Sequence, residues 1–446
     1  MSDKSMYESL KKDFSGEIIL PKDARYEHAR MAFIIKGSPA VVLQPRSTAD
    51  TAAAIRFARK HFSVISIKSG GHNGAALATN TDGIVIDVSL INTVEVLDKE
   101  KRLVRIGAGA VWGNVAAALH EHSLAVSSGD TISVGVGGLV LGGGIGWMVR
   151  KYGLAIDHLK AADIVTAEGK ILRTSATEHS DLFWGIRGGG GNFGIVTHFE
   201  FTAQPVNQVF AGMIVYTAEK LQGLITGWRD VMRKATEDLT TTLVILPPMM
   251  GNPAMAIAFC CYAGSDDQSA ATVFEPLLHI GTVVQNTVTK KQYKDVLEQA
   301  HPPEGVKILV HNGFAPSLSD ALIEAIASVS GKTGSPAMQI RSIGGAMNRV
   351  PSDATAFAHR NSEVLLIAAT FVPLGASGQE QKQALVPWNT VAPFTSGAYV
   401  NFFTDATGKE TSASYPTPVM HRLAMIKKKY DPENVFNRNY NIAPAK

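Results

Sequence analysis

The most chemically specific residues of this chain lie in a short glycine-rich segment, Ser69-Gly70-Gly71-His72-Asn73-Gly74. Glycines admit positive φ and let successive backbone N–H groups point into one concavity, an arrangement that holds pyrophosphate oxygens without a dedicated cation. In that setting His72 stands beside a nucleotide cofactor. In the plainer alternative the segment is a glycine-rich turn with a solvated histidine. Two longer glycine clusters follow, Gly135 to Gly146 and Gly188 to Gly194. The second contains Gly189-x-Gly191-x-x-Gly194, the spacing of a dinucleotide fingerprint, but that fingerprint needs a helix after it and an acidic residue about 20 positions on. Ile195-Val196-Thr197-His198-Phe199-Glu200-Phe201 alternates like a strand, and no Asp or Glu occurs from Thr202 to Ala218, so a nicotinamide cofactor loses its support.

Candidate catalytic groups lie in the second half. Tyr399 and Asn401 sit in Ala398-Tyr399-Val400-Asn401. A phenol acts as a base only when its pKa falls from about 10. Otherwise Tyr399 shapes a pocket, with its hydroxyl bonded to Asn401 or to water. In Met338-Gln339-Ile340-Arg341-Ser342-Ile343, strand alternation puts Gln339 and Arg341 on one side. Arg341 then either binds an anionic or carbonyl oxygen of a substrate or is a solvated edge arginine. His311 and His421 read as packing or surface residues. His120 and His122 fall on different faces of one helix, and no metal site is expected.

The elements that must position these groups begin with strand-like Ala40 to Leu43 and a helix opened by the capping pattern Ser47-Thr48-Ala49-Asp50 and running to about Lys60. A strand at Val64 to Ile67 feeds the glycine loop, and Ile84 to Val88 follows it. Val94–Leu97 and Leu103–Ile106 form a hairpin, and a helix carries Val111, Val115, Ala118 and Leu119. From Pro205 onward, strands at 210–216, 241–247, 254–262, 307–311, 336–343 and 364–372 alternate with helices near 218–235, 266–279, 317–329 and 379–386. This mixture predicts an antiparallel sheet covered on one side by helices, an α+β arrangement. A last helix starts at Thr417-Pro418 and stops at Tyr430-Asp431-Pro432, because the residue before proline avoids the helical region.

Length and composition narrow the function classes. A chain of 446 residues predicts two or three domains. Its 42 basic and 39 acidic residues nearly balance, so nothing points to nucleic acid or to an anionic membrane. The two cysteines, Cys260 and Cys261, are adjacent in an apolar run and form no disulfide framework, which predicts a reducing compartment. Met1 to Met6 lacks the apolar core of a secretory signal, and a cytoplasmic location is expected. Ile132 to Val149 is uncharged over 18 residues, but seven are glycine, a composition for close backbone packing rather than a membrane helix.

Four blocks carry a family resemblance. They are Lys68-Ser69-Gly70-Gly71-His72; Val134-Gly135-Val136-Gly137-Gly138 with Leu141-Gly142-Gly143-Gly144-Ile145-Gly146 and Arg150-Lys151-Tyr152-Gly153-Leu154; Asp181-Leu182-Phe183-Trp184-Gly185-Ile186-Arg187 through Gly194-Ile195-Val196; and the tail Tyr430-Asp431-Pro432-Glu433-Asn434 with Asn439-Tyr440-Asn441-Ile442. In order and spacing they resemble the FAD-linked oxidases of the vanillyl-alcohol oxidase / para-cresol methylhydroxylase superfamily, in the berberine-bridge-like branch. The matches span about 30–206 and 397–446.

The resemblance implies a PCMH-type FAD-binding domain of two α/β subdomains built from both chain ends (1–206 and 401–446), with a substrate domain inserted at 207–400. It implies FAD, joined covalently through His72 to the flavin 8α-methyl. The expected cofactor-binding set is Ser69, Gly70, Gly71, His72, Asn73, Gly74, Thr131, Val134, Gly135, Gly138, Leu139, Gly142, Gly143, Gly144, Gly146, Ile195, Val196, Asn439 and Asn441. Many relatives add a cysteinyl link where this chain has Thr131, which cannot form a thioether, so the chain resembles the subgroup with a single histidyl link. Leu139 stands where some relatives place a histidine, and Gly74 where plant members carry a tyrosine. Tyr399 matches a tyrosine that faces the flavin. Val134, small and β-branched, implies access of O₂. The expected activity is oxidation of a C–OH or C–N carbon of a small to medium metabolite, with hydride passing to flavin N5 and O₂ reduced to hydrogen peroxide, in a monomer or homodimer. Oxygenation of a secondary metabolite, or flavin binding without turnover, are the alternatives.

Overall fold

The chain is described from a computed structural model, which covers residues 3–446 apart from 250, 265, 300–304 and 407. Met1 and Ser2 of the N-terminal segment read above lie outside the described residues. Three sheets organise it. In the first, Val41–Gln44, Ile84–Asp87 and Ile65–Lys68 run parallel, with Ile84–Asp87 in the middle and Glu17–Ile19 antiparallel at one edge. The helix Thr48–His61 connects two of these strands, capped where the sequence puts it: Ser47 accepts from the Asp50 amide. Asp50 does not complete the reciprocal box; its carboxylate takes the amides of Ser15 and Arg46 instead.

The second sheet has five antiparallel strands in the order Ile171–Ser175, Leu159–Val165, Ile195–Thr202, Leu103–Gly107 and Val94–Asp98. Ile195–Thr202 is the strand that follows Gly194, so the glycine cluster leads into a sheet and not into a dinucleotide-binding helix.

The third sheet is eight-stranded. Its main path runs Val283–Asn286, Gln208–Thr217, Met255–Tyr262, Leu239–Leu246, Ala337–Ser342, Val364–Pro373 and Val306–Ala315, and Thr289–Gln292 also pairs with Gln208–Thr217. Every pair in it is antiparallel. Strand alternation sends the two faces into different cores. Ile214, Leu243, Ile340 and Leu366 pack with Trp228, Phe274, Leu322 and Ile326 of the covering helices, while Ala211, Phe314, Leu365 and Ile367 join the core of the first two sheets. The helices thus cover one face, as the sequence predicts.

One expectation needs correction. Ala337–Ser342 is an inner strand, flanked by Leu239–Leu246 and Val364–Pro373, so Arg341 is not a solvated edge residue. Its side chain is 14% exposed. Cys260 and Cys261 are buried and unpaired on Met255–Tyr262. Among the described residues no helix is long and apolar enough to cross a membrane, and the helix within 132–149 is only Val136–Gly142.

Candidate active site

Strand Ile65–Lys68 delivers Ser69 to Gly74 directly against the second glycine segment. A Cβ on Gly70 would lie 2.2 Å from the Gly135 nitrogen, and one on Gly135 2.1 Å from the Gly70 nitrogen. Two backbones therefore touch where any side chain would part them. Ser69 Oγ ties the loop to the Ala108 carbonyl at 2.7 Å. His72 packs its ring 4.8 Å from that of Phe33, a residue held at φ +52. Burial lowers the pKa of His72, against an opposing hydrogen bond that the ring donates to the Ser133 backbone, so the imidazole is neutral at physiological pH.

The C-terminal tail closes the same region. Asn73 Nδ2 donates to the Tyr440 hydroxyl at 3.0 Å, and Tyr440 donates to the Phe403 carbonyl at 3.0 Å. Asn192 receives the Ile442 amide at 3.0 Å, and Asn439 Nδ2 donates to the Gly191 carbonyl at 3.1 Å. The loops at 69–74 and 188–194 and the tail are one hydrogen-bonded frame.

Inside the frame is a cavity of about 450 Å³. Ser69, Gly70, Gly71, His72, Asn73, Thr131, Val134, Gly135, Gly138, Leu139, Ile195, Val196, Tyr399, Asn401 and Asn439 all line it. Gly74, Gly142, Gly143, Gly144, Gly146 and Asn441, expected here, do not. Their glycines serve the protein's own packing: a Cβ on Gly74 would meet Thr404, on Gly142 the Asn401 side chain, on Gly143 Phe357, on Gly144 Ala155, and on Gly146 the Ser128 carbonyl. Asn441 is exposed. Gln339 and Arg341 also lie outside the cavity lining. Gln339 Oε1 accepts from Arg341 Nη2 at 3.1 Å, and Arg341 Nη1 donates to Asp130 at 2.7 Å, so the pair is engaged one layer back.

Sequence reasoning missed lining residues as well. Asp130 is the carboxylate and Arg438 the guanidinium on the cavity wall, each directly preceding a residue already singled out, Thr131 and Asn439. Phe33, Gly191, Asn192, Tyr440 and Phe436 are among the other lining residues. Phe33 comes from a hairpin, Met31–Ala32 with Ile35–Lys36, that no motif marked.

Tyr399 is buried and projects into this cavity. Its hydroxyl oxygen accepts from the Gly144 amide and from Asn401 Nδ2, each at 3.0 Å. The Asn401 amide is oriented by a second donation, to the Leu139 carbonyl at 3.1 Å. Since both neighbours are donors, the phenol's own hydrogen finds no acceptor among the described residues and is available to a ligand. Burial pushes the Tyr399 pKa up to about 12, only partly offset by those donated hydrogen bonds. Asn312 fixes the backbone beneath it, accepting from Tyr399 N at 2.6 Å and donating to Tyr399 O at 3.2 Å.

The lining fits an extended dinucleotide. At Gly138 and Gly191 a Cβ would meet nothing within 4 Å, so both glycines keep open space inside the cavity. Asn439 Oδ1 is buried on the wall without a partner among the described residues. Gly138→Leu should therefore fill the space while leaving the helical backbone of Val136–Gly142 intact. The expected product is a folded, colourless protein with an unchanged far-UV spectrum; a variant as yellow as wild type would contradict this placement.

Fold and cavity fit a FAD-binding protein, and the comparisons with known proteins agree. Residues 39–175 match the family "FAD binding domain", and residues 398–443 match "Berberine and berberine like". The (R)-6-hydroxynicotine oxidase of Paenarthrobacter nicotinovorans is 29% identical, with 96% of this chain and 97% of that protein covered. The chitooligosaccharide oxidase of Gibberella zeae is 28% identical, covering 97% and 92%. Among solved structures, 6-hydroxy-D-nicotine oxidase from Arthrobacter nicotinovorans superposes with a TM-score of 0.86 at 26% identity, over 97% of this chain and 98% of that one. The xylooligosaccharide oxidase from Myceliophthora thermophila C1 shares the fold at a TM-score of 0.86 and 23% identity, over 99% of both chains. The chain thus carries a FAD-binding domain and a berberine-like domain, and over most of its length it is similar to FAD-linked oxidoreductases, berberine-bridge-like proteins among them.

Proposed function

We propose that this oxidoreductase is an oxidase for a small to medium alcohol or amine, with FAD attached through His72 alone. The observation that carries the reading is one cavity into which both the neutral His72 imidazole and the donor hydroxyl of Tyr399 open. When bound, FAD accepts a hydride and passes its electrons to O₂, giving hydrogen peroxide.

The protein's own groups position the substrate. Tyr399 offers its hydrogen to the substrate oxygen or nitrogen, Asn401 and Gly144 hold the phenol in place, and the largely apolar wall excludes water. A neutral imidazole has the free lone pair that bonding to the flavin requires. Thr131 lines the cavity where relatives place a second attachment, and a hydroxyl supplies no thiolate for it. Val134, half-buried on the wall, keeps the side chain there small. We assign residues 207–400 to the substrate domain and 1–206 with 401–446 to the cofactor domain, and the two buried unpaired thiols suit a reducing, cytoplasmic setting.

The test is anaerobic mixing of the yellow protein with a panel of secondary alcohols, sugars and cyclic amines, followed by admission of ¹⁸O₂. Bleaching by at least one compound, then peroxide carrying the label, is expected. Label in the organic product would replace the oxidase reading with oxygenation, and no bleaching by any compound would favour a binding protein.

A further inference from the structure

Behind Asp130 lies a second, much smaller cavity of about 10 Å³, walled in part by Trp147, Thr240, Arg341, Ser342 and Asp130 itself. That is the room one water molecule occupies. Trp147 Nε1 and Thr240 Oγ1 are both buried on its wall without partners among the described residues, and the two residues are 8% and 4% exposed. Buried polar atoms are rarely left so, which calls for a polar occupant. Ser342 is already engaged, donating to the Thr241 carbonyl and accepting from its amide.

Asp130 separates this small cavity from the main one and lines both. One carboxylate oxygen accepts from Arg341 Nη1 at 2.7 Å and the other from Thr131 Oγ1 at 3.0 Å, which leaves each oxygen further accepting capacity. Arg341 is itself held by Gln339 and lies 4.9 Å from the centre of the Phe402 ring. Among the described residues, Asp130 is the carboxylate that the main cavity wall presents.

We propose that the small cavity is a site for one water molecule, and that Asp130, backed by this water and by Arg341, takes the proton given up by the substrate in the main cavity. The inference rests on the oxidase reading above. In the step, the substrate O–H or N–H bond breaks and its electron pair becomes the second bond to carbon, while the C–H pair departs as hydride to the flavin. The proton joins a carboxylate oxygen of Asp130. Burial raises the Asp130 pKa, but the Arg341 charge and the hydrogen bonds from Thr131 and Arg341 outweigh it, so the group is an ionised acceptor at neutral pH. Glu298, itself pushed up by burial and by the Asp130 charge, and Tyr293 are the other titratable groups facing it, and Tyr399 shares the cavity.

The test uses the FAD-loaded protein. A high-resolution crystal structure should show density for one water within hydrogen-bond distance of Trp147 Nε1 and Thr240 Oγ1; an empty cavity overturns the water site. In anaerobic reduction by a compound from the panel, Asp130→Asn should be slower by about 10²–10⁴-fold and lose the acid limb of the pH profile, and formate should partly rescue Asp130→Ala. Thr240→Val with Trp147→Phe spares the ion pair and should slow reduction by about fivefold while moving the acid limb. An Asp130→Asn variant that reduces as fast as wild type, or loses FAD without formate rescue or a changed pH profile, overturns the proton role. If no compound bleaches the flavin, the oxidase reading and the proton role fall together, and the density alone decides the water site.

Discussion

Replacing Lys427 with methionine should destabilise the protein by about 3–5 kcal/mol, the usual cost of removing one partner from a buried ion pair. Lys427 is fully buried within the helix Thr417–Tyr430. Its ammonium donates to Asp431 at 2.7 Å, to the Asn192 carbonyl at 2.7 Å and to the Phe436 carbonyl at 2.9 Å. Asp431 is equally buried and also receives the amides of Val435 and Phe436. Methionine fills much of the volume but leaves a carboxylate and two carbonyls short of a donor. The damage should reach the site, because Asn192 and Phe436 both line the cavity. Urea unfolding should show a lower midpoint at similar slope, with FAD retained less tightly. A midpoint within experimental error of wild type would show that the pair contributes little.

The second large effect is expected at Tyr399. Tyr399→Phe should slow flavin reduction by about 10²–10³-fold, the range for loss of one preorganised donor. The fold should be unaffected, because Asn312 holds the backbone at this position and not the hydroxyl. With its pKa raised to about 12 by burial, the phenol stays protonated through the physiological range. Wild-type activity should therefore show no ionisation between about pH 7 and 9 that disappears in Tyr399→Phe. Such an ionisation, if seen, would restore Tyr399 as a base.

What the sequence allowed one to read, and what it did not, divides along physical lines. Local signals were reliable: Ser47 caps its helix, Pro418 opens the last one, and the alternation after Gly194 becomes the strand Ile195–Thr202. Of the glycines expected at the cofactor, Gly70, Gly71, Gly135 and Gly138 line the cavity, whereas Gly74, Gly142, Gly143, Gly144 and Gly146 do not. A glycine that leaves space for a ligand, such as Gly138, and one that admits a neighbouring backbone, such as Gly146, are the same letter. Alternation correctly put Gln339 and Arg341 on one side of their strand, yet it cannot say which strands flank it or what faces that side. The flanks are Leu239–Leu246, about a hundred positions earlier, and Val364–Pro373, later in the chain, and neither pairing is written in the strand itself. Asp130 was missed for the same reason, since its partner Arg341 is 211 residues away.

Whether this cavity holds FAD through His72 is tested by acid precipitation. The wild-type protein and His72→Ala would be denatured in acid, washed, and their pellets compared at the flavin absorption bands. Colour should stay with the wild-type pellet and wash out of the variant. Colour that washes out of both would contradict the histidyl link, and colour that persists in His72→Ala would place the attachment on another residue.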